Sequence, residues 1–133
     1  MTQYLSIEPV QEPYDNGLDE SGRAQCAFNV RAMSRPSDSF IQDLITALSA
    51  AGVGQEGVTI FGSSKAQVPS QGTVLTIRAT GGTGPVGTHN DGAGAYRRPS
   101  ALLIAHAEKW KDAEALAVAA YSALLAVRNK DVA

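Results

Sequence analysis

Gly82-Thr83-Gly84-Pro85-Val86-Gly87 is a G-x-G-x-x-G string placed directly after an apolar alternating segment. Such a string cradles a phosphate when its free amides open a helix whose N-terminus attracts the anion. Here Pro85 removes one donor amide, no helical period follows, and the next regular segment is an extended one more than ten residues on. A glycine-rich loop without regular structure is therefore the expectation for residues 81–99, where six of the chain's 13 glycines fall. Cys26 and His106 could form a nucleophile and base. However, Cys26 shares an apolar strand face with Phe28 and Ala24, where cysteine acts as a small hydrophobe. His106 ends an apolar strand, as a hydrogen-bonded structural histidine would. His89 lies among the glycines, with no framework to hold it to catalytic tolerance. Two histidines, one cysteine and no carboxylate pair at a rigid position make no metal site and call for no cofactor. The enzyme reading is the weaker one.

The charges are segregated. Glu8, Glu12, Asp15, Asp19 and Glu20, joined by Arg23, make the first hairpin acidic, whereas Arg97 and Arg98, after Tyr96, make the end of the glycine segment basic. Singly these are solvated turn residues. Together, the acidic arm of one copy can meet the basic loop of another, with Gly82, Gly84 and Gly87 allowing close approach, and opposed patches of this kind set register and encounter rate.

The elements that must position these residues follow from periodicity. QYLSIEP alternates Leu5 and Ile7 against Tyr4, Ser6 and Glu8, and Pro9 ends it, which predicts a short strand. EPYDNGLDESGR is turn-rich and reads as a long hairpin loop or projecting arm. RAQCAFNVRAM alternates again, with Cys26, Phe28 and Val30 on one face, and predicts the hairpin partner. From Pro36 the period becomes helical: Phe40, Ile41, Leu44, Ile45 and Leu48 form one stripe, Ser37 and Asp38 suit the N-terminus, and Gly52 closes the helix. GVTIFG and TVLTIRAT predict strands joined by the loop SSKAQVPSQG. SALLIAHA is apolar on both faces and so should be central in its sheet. EKWKDAEALAVAAYSALLAVRNK predicts a second helix with Trp110, Ala113, Ala117, Tyr121 and Leu124 on one face and Arg128 and Lys130 at its negative end. The expected fold is α+β, in the order β-β-α-β-β-β-α, with a mainly antiparallel sheet of about four to five strands and both helices on one face.

The 133 residues suit a single domain, and 44% apolar with 18% charged residues is a globular composition. No apolar run approaches the roughly 18 residues of a membrane span. The N-terminus lacks the features of a signal peptide, and a lone cysteine suits a reducing compartment. A net charge of −2 argues against affinity for nucleic-acid phosphates.

Two segments carry a family resemblance. YRRPSALLIAHAEKWKDAEALAVAAYSALLAVRN, from Tyr96 to Asn129, resembles the small tail terminator proteins of long-tailed bacteriophages, also called tail completion or minor capsid proteins. YLSIEPVQEPYDNGLDESGRAQCAFNVRA, from Tyr4 to Ala32, is similar to the closing hairpin of that family, SI.P.QEP.D.G.DE.GR...F.V. The order departs from the family's: residues 1–32 resemble its C-terminal part and residues 33–133 its N-terminal part. This implies a circular permutation with the usual ends joined at Ala32-Met33 and new ends opened between about Asn129 and Thr2. The resemblance implies a non-enzymatic virion protein of the tail and neck, assembled in the bacterial cytoplasm into a ring, typically a hexamer. Its implied partners are further copies of itself, the tail tube protein and the head completion or connector proteins, with DNA passing through unbound. A small-molecule or nucleotide-binding α+β module using Gly81 to Arg98 is the alternative.

Overall fold

The computed structural model describes residues 2–34, 40–57, 59–62, 72–80, 83–88, 91–126 and 131–132. Nine strands and two helices run in the order β1 (Thr2–Pro9), β2 (Tyr14–Leu18), β3 (Ala24–Ser34), α1 (Phe40–Ala50), β4 (Ile60–Gly62), β5 (Val74–Ala79), β6 (Thr83–Thr88), β7 (Asp91–Arg98), β8 (Ser100–Ala107), α2 (Trp110–Leu125) and β9 (Asp131–Val132). The fold is α+β, as the periodicities predict.

The eleven-residue β3 is the spine of the sheet. Along one edge it pairs antiparallel with β1 through Val30 to Ser34 and with β2 through Ala24 to Ala27, so that β1 and β2 form one long, interrupted arm of a hairpin. Along its other edge it pairs with β8 over eight residues, and Ser34 then bridges Arg97 of β7. The main path is β4-β5-β8-β3-β1-β9, with β2 and β7 added on β3 and β6 on β7. β8 is central, as its two apolar faces require. The β4–β5 pair is parallel and the other pairs are antiparallel, so the sheet is mixed and larger than the four to five strands expected.

Two stretches read as irregular are in fact paired. Tyr14–Leu18 lies in the turn-rich segment and Thr83–Thr88 with Asp91–Arg98 in the glycine segment. Both have compositions depleted in strand formers. What holds them is a partner: β3 for β2, and the β6–β7 hairpin with its single bridge to Ser34. Slipped registers between Asp15 and Leu18, and at two places between β6 and β7, mark where the alternation needed to read them as strands breaks down.

One face of the sheet carries the helices. The inward residues line up across the strands as Phe28, Leu103 and Ile77, and as Cys26, Ala105 and Leu75, with Leu44, Ile45 and Leu48 of α1 and Ala113, Ala117, Ala120 and Leu124 of α2 closing the same core. The alanines let α2 lie close over β3 and β8. Tyr121 meets Phe28 edge-on, ring centroids 5.8 Å apart at 82°. Trp110, expected on this face, is instead 38% exposed. As the first helical residue its side chain leans back past the helix start, and Ala120 completes the buried stripe. The α1 terminus is as expected: Gly52 has φ of +80°, its N–H donates to the Ser49 carbonyl and that of Val53 to the Leu48 carbonyl, a Schellman closure. The residues expected to cap α1, Ser37 and Asp38, the loop 63–71 and the cations Arg128 and Lys130 lie outside the described residues.

Candidate functional site

The densest grouping of chemically active side chains joins the β2–β3 turn to the middle of the sheet. Asp19 starts that turn. Its Oδ1 accepts the N–H groups of Ser21 and Arg23 at 2.9 and 2.8 Å, and Gly22 takes a φ of +81° so that the chain can reverse. This fixes Oδ2 toward the protein, where it accepts from Arg23 Nε at 2.8 Å and lies 3.0 Å from His106 Nδ1. Arg23 reaches on to donate to the Gly72 carbonyl at 3.2 Å, just before β5. On the far side of the ring, His106 Nε2 is 3.1 Å from Thr76 Oγ1 of β5. The cluster thus ties together the turn, β5 and β8. Arg23 and His106 are only 6% and 8% exposed.

Burial, the largest influence on His106, lowers its pKa below the ordinary 6.5; the Asp19 hydrogen bond pulls upward and the Arg23 charge again downward. Burial alone would raise Asp19, but the Arg23 amide, His106 and the Arg23 guanidinium together bring it below 3.8. At neutral pH the ring is therefore neutral. Assigned from this network, Nδ1–H donates to Asp19 and Nε2 accepts the Thr76 hydroxyl. The Gln25 amide nitrogen, 3.5 Å from Nδ1, then faces a donor and makes only a contact.

Carboxylate, imidazole and hydroxyl in line are the arrangement of a general-base relay. Among the described residues, no oxyanion donors accompany it. Thr76 sits between β4 and β8, both paired to β5 at this point, so the amides around it belong to the ladder and offer no oxyanion donors. Its hydroxyl also lies 3.4 Å from the Ile104 carbonyl. Among the described residues every buried side-chain polar atom has a partner, and no group of three potential metal ligands occurs. The cluster works as a latch that holds the turn against the sheet. Cys26 is buried, and burial first, then Glu114 and Asp15, raise its thiol pKa.

The latch predicts a pH dependence. Because folded His106 binds its proton less readily than the unfolded side chain, stability falls as pH drops below 6.5 and continues to fall until the folded pKa is passed. Asp19 adds a second loss as pH falls below 3.8 toward its depressed folded pKa. Urea unfolding at stepped pH should show both, with a slope of at most about 1.4 kcal/mol per pH unit for the first. His106→Gln should abolish the step near pH 6 and leave the acid one; an unchanged step would assign it elsewhere.

The residues expected at an interface are divided by the structure. Asp19 and Arg23 are spent within the latch. Glu12, Asp15 and Glu20 are exposed around β2, although Asp15 Oδ1 also accepts the Gly17 N–H at 2.8 Å. Gly84 and Gly87 lie in β6, where no helix N-terminus stands behind them, and Tyr96, Arg97 and Arg98 lie in β7. Gly82 falls outside the described residues. β2 pairs near Ala24 and β7 at Ser34, so the acidic and basic groups attach to opposite ends of a strand about 33 Å long.

Sequence reading missed a set of exposed apolar residues. The exposed large hydrophobic residues among those described are Val10, Tyr14, Leu18, Trp110, Val118 and Leu125. Of the first three, Val10 and Tyr14 stand opposite Asn29 and Ala27, on the sheet face away from the helices, and Leu18 stands opposite Ala24, on the helix face. Trp110, Val118 and Leu125 fall within about 80° on one flank of α2. The same flank carries Tyr121, which meets Phe28 of β3. The helical spacing of Trp110, Val118 and Leu125 was a usable signal, hidden by assigning Trp110 to the core.

Comparison with known proteins finds no matching family model, curated protein or solved structure. No helix among the described residues is long and apolar enough to cross a membrane.

Proposed function

We propose that the protein is a tail terminator: a structural, non-enzymatic virion protein that assembles as a ring on the end of a phage tail tube, stops tube growth and presents a face to the head completion proteins. The observation that carries this reading is the placement of the two segments whose sequences resemble that family. Tyr4 to Ala32 and Tyr96 to Asn129 are separated by more than sixty residues, yet β3 pairs with β8 through eight consecutive residues and α2 lies over both. The resemblance therefore concerns one continuous structural unit. The permuted order is compatible with the terminal strands, since Thr2 and Gln3 of β1 pair with Val132 and Asp131 of β9. Ala32 and Met33, the proposed junction, are consecutive in β3 and remain in register with Ile7 and Ser6.

The role is tested by mixing the purified protein with tail tubes of the same phage and imaging by negative stain. Rings at one end of the tube and shorter tubes are expected. A variant deleting Gly82 to Ala95, which removes most of the β6–β7 hairpin, should still unfold in one cooperative thermal transition and bind tubes more weakly. Bare tube ends and unaltered tube lengths with the full chain would remove the proposal. Stabilisation by nucleotides in a thermal-shift screen would favour the ligand-binding alternative.

A further inference from the structure

We infer that β2 and the turn after it, residues 14–22, form a proton-gated strap: in mild acid the Asp19 latch lets go and the strap leaves β3 while the rest of the sheet stays paired. This goes beyond the tail reading and does not depend on it. The geometry lets the strap leave as a unit. All five residues of β2 are exposed, so its own side chains lose little by leaving. Its ladder to β3 has three registered pairs, broken by the slip between Asp15 and Leu18, where Gly17 takes a φ of +83°. Ahead of it the edge pairing is already interrupted: β1 ends at Pro9, Val10 N–H donates to the Asn29 carbonyl, and Asn29 N–H donates to the Gln11 side-chain Oε1 at 3.3 Å. Gln11 to Pro13 thus form a hinge, and Gly22, with its φ of +81°, ends the strap on the other side. Few buried apolar contacts and exposed hydrogen bonds mark a segment that opens well below the free energy of global unfolding.

What holds the strap down is one carboxylate oxygen. Asp19 Oδ2 lies 2.8 Å from Arg23 Nε and 3.0 Å from His106 Nδ1. With the ring neutral, that oxygen serves a single cation. A proton on His106 puts a second cation on the same oxygen, beside the guanidinium, where Arg23 and His106 are both buried. It also turns Nε2 from an acceptor of the Thr76 hydroxyl into a donor toward it. Around the ring stand Asp19 and Arg23 from the turn, Gln25 from β3 and Thr76 from β5, and of these Asp19 and Arg23 are charged. The strap's other side-chain tie, Asn16 Nδ2 to Gln25 Oε1 at 3.1 Å, contains no titratable group. Opening lets His106 hydrate and regain its ordinary pKa of 6.5, above that of the closed state, so opening takes up a proton. It therefore becomes easier as pH falls below 6.5, by at most about tenfold per unit, until the closed-state pKa is passed. Arg23 and Asn29 direct their backbone groups to the strap's edge of β3, so by alternation Gln25 and Ala27 do too. The opened state bares those groups, and an unpaired edge is a template for a further strand.

Amide hydrogen exchange of the full chain, followed residue by residue by NMR and corrected for intrinsic rates, tests this at pH 7, 6 and 5. The probes are the N–H groups of Arg23 and Ala27, which the closed strap engages or covers. The reference is Leu103 of β8, whose strand is held on both edges. At pH 7 the strap probes should be at least tenfold less protected than Leu103, and low urea should speed Leu103 while hardly changing them. From pH 7 to pH 5 their protection should fall at least fivefold, and in His106→Gln that fall should vanish. Asn16→Ala, an exposed change that serves if His106→Gln fails to fold, should speed the strap probes about two- to tenfold, the net value of one hydrogen bond, and leave Leu103 unchanged. Strap probes that exchange at the Leu103 rate with the same urea dependence, protection that stays constant from pH 7 to pH 5, a fall that survives in His106→Gln, or equal acceleration of probes and reference in Asn16→Ala would each overturn the inference.

Discussion

Asp19→Ala is expected to lower the unfolding free energy by about 3–5 kcal/mol, the range for breaking a buried charged pair by removing one partner. The carboxylate has several obligations that no neighbour can assume. Its Oδ1 satisfies the amides of Ser21 and Arg23, and its Oδ2 holds both Arg23 Nε and His106 Nδ1. Without it, Arg23, buried at 6% exposure, keeps only the Gly72 carbonyl among its described side-chain partners, and the imidazole loses the acceptor that fixes its tautomer. Asp19→Asn keeps one acceptor oxygen for the turn amides but loses the charge, so its loss should be smaller. Equilibrium urea unfolding reads both, and a loss below about 1 kcal/mol for the alanine variant would mean that the turn reorganises to solvate Arg23. Glu20→Ala, one residue on and exposed, is the contrast: it should change stability by no more than about 0.5 kcal/mol, as surface substitutions do. Two adjacent acids of one turn thus differ because one faces the sheet and the other water.

That difference marks what the sequence makes legible. Elements with a strong internal period announce themselves: β3 and β8 alternate or run apolar, α1 has a stripe and Gly52, α2 an alanine-rich face. Each is specified by its own residues. β2, β6 and β7 are specified by what lies beside them, since Asn16, Gly17 and the glycines of β6 and β7 favour turns until the spine strand or a hairpin partner supplies hydrogen bonds. The latch is hidden for a related reason. His106 was legible as a bonded strand-end histidine, but its partner Asp19 is 87 positions away and looked like one more surface acid. The exposed apolar flank of α2 escaped because its first residue, Trp110, was assigned inward.

Phe28→Ala should be the most damaging substitution in the core, again by about 3–5 kcal/mol. The ring is fully buried, stands opposite Leu103 in the ladder and lies beneath α2. The size of the loss depends on whether the surroundings can close the space, and here they cannot. β3 is held on both edges by β1, β2 and β8, and α2 already rests on the sheet through Ala113, Ala117 and Ala120, with no side-chain length left to give up. The cavity therefore persists, and its lining forfeits contacts outright. Tyr121→Ala should cost less, because that ring is half-buried and water can enter. The two rings meet edge-on, an arrangement giving about 0.5–1.5 kcal/mol beyond the area buried, so the double variant should fall short of the sum of the single losses by that amount. Strict additivity in urea unfolding would show that the rings merely share space. A loss of less than about 2 kcal/mol for Phe28→Ala would mean that α2 can settle onto the sheet, and hence that the helix is not held at a fixed height above β3 and β8.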